Sequence, residues 1–105
     1  MALFEAKTKY GLVRGHSMEG YTVFKGIPYA KPPLGERRFA APQEPDSWEG
    51  IYEAEHFGSV AMQVPLDPAS FYGKECYQYP EYMPARSEDC LYLNIWTPAK
   101  AAGEK

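Results

Sequence analysis

Between residues 27 and 86 the sequence offers almost nothing that can form regular structure, and this limits what the chain can build. Gly26-Ile-Pro-Tyr-Ala-Lys-Pro-Pro-Leu-Gly35 cannot be helical, because each proline fixes its own φ and restricts the residue before it. Ala41-Pro-Gln-Glu-Pro45 continues in the same manner. Residues 47–58 offer one short strand or a turn of helix. Residues 61–86 hold further prolines and a dense aromatic cluster of Phe71, Tyr72, Tyr77, Tyr79 and Tyr82. Long structureless runs are uncommon inside compact domains. Their amides need partners and their apolar side chains need a surface to lie on. No amphipathic helix of useful length is present to supply that surface.

Strand-like sequence occurs on either side of this region. Residues 3–7 and 10–14 read as short strands, and residues 21–24 as a third, rich in β-branched and aromatic side chains. Gly15-His-Ser-Met-Glu-Gly20 is polar and glycine-bounded, and reads as the loop of a hairpin. At the other end, Leu91, Leu93 and Ile95 alternate with Tyr92, Asn94 and Trp96. Both faces of that strand are largely apolar, so it expects cover on both sides. It has no evident sheet to enter, and Pro98 ends it.

The His16-Ser17-Met18 stretch resembles the turn that presents a nucleophilic serine. Such a turn needs a buried strand before the serine, a helix after it, and small residues two positions to either side. Here a strand-like run follows, and Glu19 stands where a small residue is wanted. Ser17 therefore reads as a turn residue and His16 as exposed. No catalytic residue is assigned.

The composition narrows the class further. The chain has 105 residues, of which 45% are hydrophobic, so it is not of disordered type. Ten prolines and nine glycines argue for turns rather than helix. The net charge is −3 and the basic residues are scattered, which speaks against nucleic acid as a partner. No apolar run approaches the roughly 20 residues of a membrane span. The first residues lack the basic start and apolar stretch of a secretory signal, so a cytoplasmic location is expected. Thirteen residues separate Cys76 from Cys90, which is no zinc pattern, and both read as free thiols. Neither a metal nor a cofactor is expected.

Two longer motifs point to a family. Phe24-Lys-Gly-Ile-Pro-Tyr-Ala-Lys-Pro-Pro-Leu-Gly-Glu-Arg-Arg-Phe39, followed by Pro42, Trp48 and Gly50, resembles the N-terminal segment of type-B carboxylesterases. These are the cholinesterase-like serine hydrolases, among them the bacterial para-nitrobenzyl esterases. Ser87-Glu-Asp-Cys-Leu-Tyr-Leu-Asn-Ile-Trp-Thr-Pro98 resembles the family's second signature. The resemblance runs from about Lys9 to Pro98 and implies the N-terminal part of an α/β hydrolase. Mostly β and coil, that part comprises a small antiparallel N-terminal sheet, a long irregular region and the first strand of the main sheet. Residues 1–105 would then be a segment of an esterase domain, not an independent domain.

The resemblance also implies roles for particular residues. Arg38 and Glu88 match a buried ion pair that staples the N-terminal coil to the first main strand. Tyr77, Tyr79 and Tyr82 map to the loop that walls the substrate entrance, where aromatic side chains suit uncharged ester groups. Cys90 matches a cysteine of the second signature, but Ala61 stands where its usual partner falls, so the usual disulfide is not expected. The family's oxyanion-hole glycines, serine elbow, acid and histidine belong to later sequence. A remaining catalytic portion is therefore the expected partner, and a small-molecule ester the substrate of the assembled enzyme. Two alternatives stand beside this reading. One is a non-catalytic cholinesterase-like binding module; the other is a truncated gene product without activity of its own.

Overall fold

The computed structural model of the protein describes residues 3–76 and 84–104. Their elements are β1 (Glu5–Lys7), β2 (Leu12–Arg14), β3 (His16–Met18), β4 (Tyr21–Pro28), a 3₁₀ turn (Gly35–Arg37), β5 (Ile51–Glu53), α1 (Phe71–Glu75) and β6 (Tyr92–Thr97). The strands form two sheets, ordered β1-β2-β5 and β3-β4-β6. In the first, β1 and β2 are antiparallel, and β5 joins β2 as a parallel third strand. The second is antiparallel throughout.

The hairpin differs from the sequence expectation. Residues 16–18 are not loop but strand β3, which pairs with β4 in the register His16–Val23, Ser17–Thr22 and Met18–Tyr21. Only Glu19 and Gly20 form the turn, with Gly20 at φ +82°. The strand of residues 12–14 pairs instead with β1 and β5. Gly15 makes this division possible. A Cβ there would lie 2.6 Å from the Val23 carbonyl oxygen and 2.9 Å from the Phe24 ring. Only glycine lets the chain pass so close while moving from one sheet to the other.

Strand β4 runs further than its sequence suggested, to Pro28, through a register irregularity between Phe24 and Ile27. Gly26 sits in that bulge at φ +70°. The Lys25 amide leaves the β4–β6 ladder and donates to the Ala54 carbonyl at 2.8 Å, so the bulge also joins the two sheets. This length explains a second correction. Strand β6 does have a sheet to enter, because β4 pairs with it from Thr22–Thr97 to Pro28–Tyr92.

The core is small. Val13, Phe24 and Ala54 form its centre, with Ala6, Ile27, Trp48 and Tyr52 packed around them. Trp48 stacks beside Tyr52, with ring centroids 5.2 Å apart, and its indole N–H donates to the Leu12 carbonyl. Strand β6 keeps apolar side chains in contact with solvent on both faces: Leu93 is 37% exposed, Ile95 44% and Trp96 55%. The molecule measures 44 × 40 × 22 Å, and its radius of gyration is 16.2 Å. A compact domain of this length has a radius of gyration of about 13 Å. Among the described residues no helix is long and apolar enough to cross a membrane.

Candidate functional site

Ser17 and His16 are neighbours in β3, so their side chains leave opposite faces of the sheet. Both are exposed, and strand β4 follows them after a two-residue turn. A serine activated by a base needs that base within hydrogen-bonding reach. This geometry holds His16 away from Ser17, and the pair forms no nucleophilic dyad.

One polar arrangement surrounds the β4 bulge. The Gly26 amide donates to Asn94 Oδ1 at 2.9 Å, and the Tyr52 hydroxyl donates to the Gly26 carbonyl at 2.6 Å. Residues from β5 and β6 thus satisfy the two backbone groups that the bulge takes out of the ladder. A Cβ on Gly26 would run into the His56 carbonyl, which makes glycine obligatory there. Next to the bulge, the Tyr92 hydroxyl donates to Asp89, at 3.0 Å from Oδ1 and 3.1 Å from Oδ2. Burial, and then the hydrogen bond to Asp89, raise the Tyr92 hydroxyl above the ordinary tyrosine value of 10.0. Burial followed by the Asp89 charge raises Tyr52 in the same direction. Both phenols therefore remain neutral donors at physiological pH. The arrangement is suited to holding backbone, not to transferring protons.

The structure brings Arg38 and Glu88 together, with Arg38 Nε 2.8 Å from Glu88 Oε1. Their side chains stay 55% and 43% exposed, so within this chain the pair lies at the surface rather than buried. The proposed entrance-wall residues Tyr77, Tyr79 and Tyr82 lie outside the described residues. The helix before them is described. Its Ser70 cap accepts from the Gly73 amide, and Phe71 and Tyr72 meet edge to face with centroids 5.6 Å apart. Both of these rings are largely exposed.

Cys76 and Cys90 are both free thiols. Cys90 and Ala61 line one open cavity of about 370 Å³, together with Phe57, Val60, Tyr92 and Asn94. Ala61, where the resemblance would place a second cysteine, therefore lines the same cavity as Cys90. Among the described residues, no group of three or more His, Cys, Asp or Glu side chains is placed to hold a metal.

Sequence reasoning missed the bulge and its partners Tyr52 and Asn94. A glycine inside a strand-like run, Phe24-Lys-Gly-Ile27, was the available signal, because such a glycine often marks a bulge.

Comparison with known proteins places these features in one family. The carboxylesterase family model matches residues 4–105. The chain is 45% identical over 91 residues to the para-nitrobenzyl esterase of Bacillus subtilis (strain 168), covering 87% of this chain and 17% of that protein. It is 43% identical over 101 residues to the mouse (Mus musculus) cholinesterase, covering 90% of this chain and 16% of that protein. Among solved structures, a Geobacillus stearothermophilus carboxylesterase superposes with a TM-score of 0.70 at 45% identity, over 92% of this chain and 17% of that one. A para-nitrobenzyl esterase structure superposes with a TM-score of 0.73 at 39% identity, over 90% of this chain and 18% of that one. The chain thus spans less than a fifth of the length of these relatives and corresponds to the N-terminal part of their α/β-hydrolase fold. With the family model matching residues 4–105 and relatives of 43–45% identity covering most of this chain, the chain belongs to the carboxylesterase family.

Proposed function

We propose that this chain supplies the N-terminal structural portion of a serine carboxylesterase acting on carboxylic esters, with the catalytic residues contributed by the rest of that enzyme. The observation that carries this reading is an excess of surface. The chain exposes 8091 Å². A compact folded monomer of 11.9 kDa exposes roughly 6,000 Å². The exposed surface includes large apolar side chains, among them Leu93, Ile95 and Trp96 on the two faces of β6, as expected of a segment that lies against a larger body. On this reading the Arg38–Glu88 pair becomes buried in the assembled enzyme and staples the coil to β6. On the same reading Tyr77, Tyr79 and Tyr82 wall the substrate entrance. The two free thiols support a reducing, cytoplasmic location.

The test is a graft. Residues 1–105 replace the corresponding N-terminal segment of the Bacillus subtilis para-nitrobenzyl esterase, and p-nitrophenyl acetate hydrolysis is compared with that of the isolated chain. The chimaera is expected to turn over with saturation kinetics, and the purified chain is not. Saturable turnover by the chain alone, or a chimaera that fails to fold, would overturn the reading.

A further inference from the structure

Phe39 is the most exposed of the large hydrophobic residues described, at 100% relative exposure. It is also the one non-glycine residue with positive φ among them, at +57°. A bulky side chain in left-handed backbone is unfavourable, and a phenyl ring in water is unfavourable as well. Within the described chain, what faces the ring is the Arg38 guanidinium, a weak contact at an exposed site, and it leaves the ring in water. Yet the pose is built. The 3₁₀ turn leads into it, with the Arg38 amide donating to the Gly35 carbonyl and the Ala40 amide to the Arg37 carbonyl, both at 3.2 Å. Arg38 lies with its guanidinium carbon 5.5 Å from the Phe39 ring centroid, and its Nε is held by Glu88. Glu88 lies four residues before β6, so the Arg38 beside the ring is tied to the segment that enters the second sheet.

We propose that Phe39 is the anchor by which this segment docks on the remaining portion of the esterase, its ring entering an apolar pocket there. The inference rests on the function proposed above and names the contact through which it operates. The occupant is argued from length and neighbourhood. More than four-fifths of each relative's length lies outside the matched segment and offers the surface this chain lacks. Tyr29 and Leu34, 50% and 44% exposed, belong to the same irregular stretch. Large aromatic side chains held in a fixed pose are typical interface anchors, because little conformational freedom is lost when they are buried.

The test uses the chimaera described above, with Phe39→Asn and Phe39→Leu, and the isolated chain with Phe39→Asn. Asparagine tolerates left-handed backbone better than phenylalanine. Any loss in the Asn variant therefore reflects the missing ring, not the backbone. The temperature of half-inactivation of the chimaera should fall by roughly 4 °C or more with Asn and recover most of that with Leu. The KM for p-nitrophenyl acetate should stay unchanged, because the ring is placed in a docking contact and not against substrate. In the isolated chain, Phe39→Asn should leave circular dichroism and protease resistance as they were. Equal half-inactivation temperatures for the parent and Asn chimaeras would overturn the anchor. So would a dimer of the isolated chain that Phe39→Asn dissolves in sedimentation, since the occupant would then be a second copy. A parent chimaera that does not fold is a separate failure. It appears before any Phe39 variant is compared, and removes the function reading and the anchor together.

Discussion

Thr22 shows how a single residue can conflict with its surroundings. It lies in β4 between Ser17 and Thr97, fully buried, and its hydroxyl has no hydrogen-bond partner. A buried hydroxyl without a partner costs about 1–3 kcal/mol in protein substitutions. Valine keeps the β-branched shape and removes the group. In the chimaera, Thr22→Val should leave stability unchanged or raise it by up to about 1 kcal/mol, read from urea unfolding. A loss greater than about 1 kcal/mol would mean that the hydroxyl finds a partner in the assembled enzyme. Gly26 is the contrasting case, for its two backbone groups are both satisfied, by Asn94 and Tyr52. The sequence marks the difference poorly. A threonine between tyrosine and valine looks like ordinary strand, and the glycine at 26 looks like the strand's end.

At the scale of elements, what could be read in advance depended on how local the determining interaction was. Strand β6 is legible because its apolar alternation is unbroken from Leu91 to Trp96. Strand β3 is not, because His16, Ser17 and Met18 carry no such alternation and become strand only through pairing with β4. The parallel pairing of β5 with β2 joins residues almost forty positions apart, from Leu12 to Ile51, and no local pattern encodes it. The Arg38–Glu88 contact spans a still longer interval, and it was legible only through a motif resemblance. Its strength should depend on what covers it. As a half-exposed pair it contributes about 0–1 kcal/mol in the isolated chain. Buried in the chimaera, loss of one partner costs roughly 3–5 kcal/mol. Arg38→Met should therefore leave the isolated chain's circular dichroism unchanged while sharply lowering soluble yield and half-inactivation temperature of the chimaera. Equal behaviour of the parent and Arg38→Met chimaeras would show that the pair stays at the surface.

For the molecule as a whole, cooperativity is the property most at stake. A two-state transition requires that most residues share one core, so that loss of any part exposes the rest. Among the described residues the buried hydrophobic ones are Val13, Val23, Phe24, Ala30 and Ala54, and two of the five are alanines. Val13, Phe24 and Ala54 form one cluster, and α1 contributes none of the five. Heating the isolated chain should therefore give a broad, weakly sloping change in circular dichroism without a defined midpoint. The dye 8-anilinonaphthalene-1-sulfonate should bind well below the temperature at which secondary structure fades, because apolar side chains of β6 are already accessible. Grafted into the esterase, the same residues should melt with the body in one sharp step and lose the dye signal. A monodisperse 11.9 kDa monomer that melts cooperatively without binding the dye would contradict this. It would mean that the few contacts between the two sheets suffice to fold the segment, and that the exposed faces of β6 are an ordinary surface rather than one half of an interface.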